Sequence, residues 1–374
     1  MFQNAFRLCK RMGYLVHSVT EWIFGSFALI FCLAVLASLP LLNLLSLGFL
    51  LHVTGQVAGS GRLLQGLTAI RKAAAVGRLI LFTWLLLWPL RFFSDMIDSA
   101  YLIDSENNLY RYGPFLLFFL TFFTTVHLLW AVVRGGRLRH FIWPAPVRLL
   151  RWIVTPEKTR GLLKTAWDFA DGLHLPYYFR IGTLGFLGTI CWLALPILII
   201  VAAGQLSNNG AVFLLSLLGS LILAWVVVQL PFLQAHFAIE KRFRALFELK
   251  QVRCLFRRAP IAFCFALSAT LLSAIPLYLL KVELAPREIA WLPSLVYVTF
   301  ILPARLITGW AVSRALQRNT DRHWFFRWTA RLSMVPVVAV FVLLVYFTQY
   351  SSWHGTLSLF EQHAFLVPAP MLYY

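Results

Sequence analysis

Eight long apolar runs decide what this chain can fold into. They cover residues 23–53, 76–94, 113–134, 181–204, 211–237, 259–281, 289–313 and 331–349. A helix needs roughly 20 residues to cross a hydrocarbon core about 30 Å thick, and each run is near that length or beyond it. The runs are continuously apolar, with none of the two-residue alternation of a lipid-facing strand, so helices are expected and a barrel is not. With 60% apolar and 13% charged residues, a water-soluble globule would expose too much apolar surface. The expected fold is all-α, a polytopic transmembrane bundle.

A net charge of +19 points to nucleic acid in a soluble protein, so the positions of the charges decide their meaning. Segments 54–78, 134–180, 240–258 and 314–331 hold 25 Lys and Arg against 6 Asp and Glu. The intervening loops and the C-terminal stretch hold 3 against 7, with Asp95, Asp98, Asp104 and Glu106 in one loop. This is the positive-inside pattern. It predicts a multi-pass protein of the cytoplasmic membrane with the four basic segments on the cytoplasmic side. It also predicts anionic membrane lipids as partners and argues against nucleic acid.

The order of landmarks repeats. Pro40, the basic link from Arg62 to Arg78, Pro89, Trp130-Ala131-Val132 with Arg134, then Arg139-His140 and Trp143 are followed by a second series. That series is Pro231, Lys241 to Arg258, Pro276, Trp310-Ala311-Val312 with Arg314, then Arg322-His323 and Trp328. Such recurrence predicts duplication. Four helices per unit give the two units the same orientation in the membrane, a parallel repeat. The expected divisions are a basic N-terminal segment 1–22, a first repeat 23–204 with an insert at 144–180, a second repeat 211–349 and a non-cytoplasmic tail 350–374. In the insert, Thr155 and Pro156 read as a helix start. Leu163, Ala166, Trp167 and Ala170 fall on one face.

The first run is the awkward one. At about 46 Å as a single helix it is long for one span and short for two. Pro40 and Asn43 near its middle mark a helix break. A kinked single span with an exported N-terminus, carrying Phe2, Phe6, Leu8 and Tyr14 flat on the surface, is favoured by the repeat. A re-entrant hairpin turning at Pro40 to Asn43 is the alternative that keeps Arg7, Lys10 and Arg11 inside.

The basic links read as amphipathic through Leu63, Leu67, Ile70 and Ala74, and through Ala245, Leu249, Val252 and Phe256. Arg62, Arg71, Lys72, Lys250, Arg253, Arg257 and Arg258 are the candidates for lipid headgroups. His127 and Arg305 lie well inside apolar runs, where charge is expensive and often functional. The match of Trp130 with Trp310 puts them at similar depth, so a shared internal polar site is an expectation. His236 and Glu240, four apart, are expected as boundary ion-pair residues with Lys241 or Arg244. Asp168, Asp171 and His174 form a loose acidic string on the insert. The five cysteines show no ligand or disulfide spacing. No nucleotide loop, nucleophile elbow or zinc-protease motif occurs, so neither a catalytic residue, a cofactor nor a metal is assigned.

Leu39-Pro40-Leu41-Leu42-Asn43 through Gly48-Phe49, followed by a basic link after Gly59 and Gly61, resembles a family of uncharacterised bacterial and archaeal integral membrane proteins. The stretch from Phe243 to Pro260 is similar to the link in the same family. The resemblance implies a polytopic membrane protein and carries no activity.

These residues point to a non-enzymatic protein of transport or membrane organisation. A lipid-modifying enzyme built on His236, Glu240, Asp168, Asp171 and His174, or a subunit of a larger complex, are the alternatives. Protein partners, homo-oligomerisation and substrate stay open.

Overall fold

The computed structural model describes residues 2–103, 108–134, 138–153, 167–168, 171–280, 291–352 and 355–367, with residues 2–17 described by their backbone alone. Asp104, Glu106, the helix start at Thr155 and Pro156, and Leu163, Ala166 and Ala170 lie outside the described residues, as do the side chains of Phe2, Phe6, Leu8 and Tyr14. The helices are α1 (Phe2–Ser38), α2 (Asn43–Ser60), α3 (Ile70–Ile103), α4 (Asn108–Val133), α5 (Leu138–Ile142), α6 (Pro146–Ile153), α7 (Leu175–Ala203) and α8 (Asn209–Glu240). They continue with α9 (Leu249–Arg258), α10 (Pro260–Leu279), α11 (Trp291–Leu316) and α12 (Trp324–Ser351). Among the described residues, eight helices are long and apolar enough to cross a membrane. The chain is an all-α polytopic bundle.

The first apolar run divides. α1 ends at Ser38, the chain turns through Leu39 to Leu42 with Leu41 at φ 64°, and α2 starts at Asn43. Proline interrupts the backbone ladder there, and the next helix begins three residues later. Pro89, Pro114, Pro196, Pro231, Pro276, Pro303 and Pro336 instead stay within helices, as neighbouring helices in a bundle permit.

Two compact units result. One comprises Met1–Leu29 and Ile70–Leu173. In it Arg78 bonds Glu21 at 3.2 Å, and Ile70 and Ala74 lie against Gly25. The other comprises Ile30–Ala69 and His174–Tyr374. These boundaries differ from the expected division at 23–204 and 211–349, because α2, within the first of those ranges, is enclosed by α7, α8 and α11. Small residues allow that enclosure. A Cβ on Gly48 would overlap the carbonyl of Tyr178, and one on Gly182 the carbonyl of Leu44, so the backbones of α2 and α7 touch at their crossing. Gly309 brings α11 against α2, its Cβ position 2.6 Å from the carbonyl oxygen of Thr54.

The two basic links share one local form. Gly61 and Lys241 end their helices in the left-handed region, at φ 73° and 56°. Arg62 and Arg242 are then extended, and five-residue 3-10 turns follow at Leu63–Leu67 and Phe243–Phe247. Each link is thus a 3-10 turn and then an α-helix, rather than one amphipathic helix. Ile70, Ala74, Ala245 and Val252 are buried, whereas Leu63 and Leu64 are exposed. Arg134 stacks over Trp130 at 5.5 Å, and Arg314 over Trp310 at 5.4 Å.

After α12 the chain does not leave as a free tail. Gly355–Phe360 form a 3-10 turn, and residues 361–367 enter the core, where Leu359, Ala364 and Phe365 are fully buried and the Phe365 ring meets Phe341. Residues beyond 367 lie outside the described residues.

Candidate functional site

Arg305 sits near the middle of α11 and is 1% exposed. Its Nη1 donates to Oε1 of Gln234 at 2.6 Å, and its Nη2 donates to the carbonyl of Phe365 at 3.3 Å. Gln234 Nε2 donates to the Thr189 hydroxyl at 2.7 Å and to the same Phe365 carbonyl at 3.3 Å. Thr189 passes its own proton to the carbonyl of Gly185. One network therefore ties α7, α8, α11 and the C-terminal segment. Both acceptors of the guanidinium are neutral, and its Nε has no partner among the described residues. Tyr297, two turns earlier on α11, is fully buried, and its hydroxyl has no partner among the described residues. A guanidinium with a free N–H and a nearby hydroxyl, out of water, is chemically suited to accept an anion.

The segment that carries Phe365 has polar residues of its own. Glu361, Gln362 and His363 are buried, Glu361 and His363 are 3.8 Å apart, and the His363 ring lies 5.0 Å from that of Tyr278. A hydroxyl pair, Thr270 with Thr308 at 3.2 Å, lies about one turn beyond Arg305.

His127 and Arg305 each make their hydrogen bonds within their own compact unit. His127 Nε2 is 2.6 Å from the carbonyl of Phe141 and ties α4 to α5, while Arg134 donates to the carbonyls of His140 and Trp143. The boundary pairing near His236 also differs from expectation. Glu240 bonds Arg242 at 2.9 Å, and His236 bonds Glu248 at 2.8 Å across the 3-10 turn. The turn folds Glu248 back beside His236, a return invisible to helical spacing. The His236 hydrogen bond, helped by its charge and that of Arg242, holds the Glu248 carboxyl below the usual carboxylate range. Asp168 and Asp171 are exposed, and no metal-ligating group of three forms among the described residues.

Of the headgroup candidates, Arg62, Arg71, Lys72, Lys250, Arg253 and Arg257 are exposed and Arg258 is half-buried. Lys72 donates to the carbonyl of Gly172. Arg253 and Arg257, with Arg331, line a groove beside Trp225 and Phe256. Pro40 and Asn43 bound the turn before α2. Cys32, Cys191, Cys254 and Cys264 are free thiols.

Sequence reasoning singled out Arg305 but missed Thr189, Tyr297 and the C-terminal segment. The available signals were Gln234 inside an apolar run and three polar residues, Glu361 to His363, flanked by apolar ones. No family model, curated protein or solved structure matches the chain.

Proposed function

We propose that this protein is a transporter of the cytoplasmic membrane in which Arg305 receives the anionic group of the solute. The carrying observation is the buried guanidinium whose hydrogen-bond acceptors among the described residues are both neutral. A charged residue at the centre of a span costs about 2.5–3.5 kcal/mol on insertion scales. An amide oxygen and one long carbonyl bond are weak compensation for it. A carboxylate or phosphate accepts two charge-assisted bonds from one guanidinium and would take the place of the Phe365 carbonyl. Residues 361–367, which carry that carbonyl, then act as the closure of the site.

The parallel repeat and the cytoplasmic placement of the basic segments belong to the same proposal. The recurring link geometry and the two Arg-over-Trp stacks support the repeat, since both features recur 180 residues apart. In that register Thr54 corresponds to Gln234 and Thr125 to Arg305, so only the second copy carries the amide and the charge.

Anion efflux from proteoliposomes tests the proposal, with the vesicles loaded in turn with chloride, phosphate and a dicarboxylate. The expected result is efflux of at least one anion above protein-free vesicles, lost in Arg305→Met and partly kept in Arg305→Lys. Absence of efflux for every anion with the intact chain would overturn transport and leave Arg305 as a clamp in a membrane-organising protein.

A further inference from the structure

We propose that the groove between α10, α11 and the start of α12 binds the phosphate of an acidic phospholipid. The groove measures about 490 Å³, and Arg314, Arg318 and Arg322 line it with no acidic side chain among its lining residues. A site of that size lies in the range of small-molecule pockets. Asp321, the carboxylate next in sequence to Arg322, is 3.8 Å from Arg327.

The three arginines are held in place before any ligand arrives. Arg314 lies over Trp310, and Arg322 lies over Phe326 at 5.8 Å. Arg318 Nη1 donates to the carbonyl of Arg258 at 3.4 Å, and the backbone N–H of Arg322 donates to the carbonyl of Arg257 at 3.0 Å. Guanidinium forks fixed in this way suit phosphate oxygens better than flexible ammonium groups do.

The opposite wall argues for a lipid rather than a free phosphate. Ile261 and Phe265 line the same groove and are 59% and 57% exposed on the apolar flank of α10, in position to run beside an acyl chain. Charge at the helix ends and apolar wall within the span together match an amphiphile with an anionic head. This site is separate from the one around Arg305.

The test is thermal unfolding of the full chain in detergent, titrated with phosphatidylglycerol, phosphatidylcholine or glycerol phosphate. Phosphatidylglycerol is expected to raise the midpoint, whereas the other two leave it unchanged. The variant R314Q/R318Q/R322Q is expected to need about tenfold more phosphatidylglycerol or beyond for the same shift. The charge-matched variant R148Q/R180Q/R244Q, at exposed arginines away from the groove, is expected to behave as wild type. Equal shifts with phosphatidylcholine or glycerol phosphate, an undiminished shift in the groove variant, or an equal loss in the charge-matched variant would each overturn the proposal. Should the groove variant not fold, a diazirine-bearing phosphatidylglycerol cross-linked to the wild-type chain gives the answer. Label within residues 259–265 or 310–326 supports the groove, and its absence from both stretches rejects it.

Discussion

Arg305 and Phe365 meet 60 residues apart in the chain, the guanidinium donating to the backbone carbonyl at 3.3 Å. The C-terminal segment is thus anchored by its main chain to a buried charge, and Gln234 binds both ends of the contact. Stability and function should separate at these positions.

Arg305→Met removes a desolvated charge and puts an apolar side chain in its place. Stability should stay within about 1 kcal/mol of wild type or rise. Gln234→Leu keeps the charge buried and takes away its shortest hydrogen bond, so a loss of about 2–4 kcal/mol is expected. Denaturant unfolding in mixed micelles ranks the two. The reverse order would mark Arg305 as a structural clamp.

Gly48→Ala should be severe, because the added methyl meets the main chain of α7 at Tyr178, which cannot move aside as a side chain can. A cost of about 3 kcal/mol or more is expected. Gly59→Ala, with nothing near its Cβ position, should be neutral or stabilising by about 0.5–1 kcal/mol. Midpoints of thermal unfolding in one detergent compare the pair directly.

Acid should weaken the second basic link through Glu248. Its folded-state pKa lies below the unfolded one, held there mainly by the His236 hydrogen bond. The contribution is therefore complete above the unfolded carboxylate value of about 4.3 and is lost as pH falls through the folded value. The stability difference between wild type and Glu248→Gln should be constant near neutrality and vanish at the acid end. A difference that persists at low pH would assign it to packing instead.

Ala364 is fully buried in the segment that follows α12. In a background without the native cysteines, Ala364→Cys should resist an impermeant maleimide in intact vesicles and react after denaturation. Combining it with Gln234→Leu should raise its labelling rate, since the network that holds Phe365 is then broken. Rapid labelling in the single variant would show that residues 361–367 do not close the site.

Much of this architecture was legible from one dimension. Membrane-spanning helices follow from runs of apolar residues, because a backbone in lipid must satisfy its own hydrogen bonds and only helices do so locally. Pro40 marks the break before α2 for an equally local reason. Arg305 stood out because charge in an apolar run is expensive wherever it points. Its partners did not, since hydrogen bonds to Gln234 and Phe365 depend on which helices become neighbours. Nor did sequence show that α2 would be enclosed, which required Gly48 to meet Gly182 and Gly309 to meet Thr54 across helices. His236 found Glu248 rather than its helical neighbour because a 3-10 turn reversed the chain. Local chemistry determined the helices and where they break. Only tertiary packing decided which polar groups share the interior and where the C-terminal segment goes, because those outcomes depend on contacts between residues far apart in the chain.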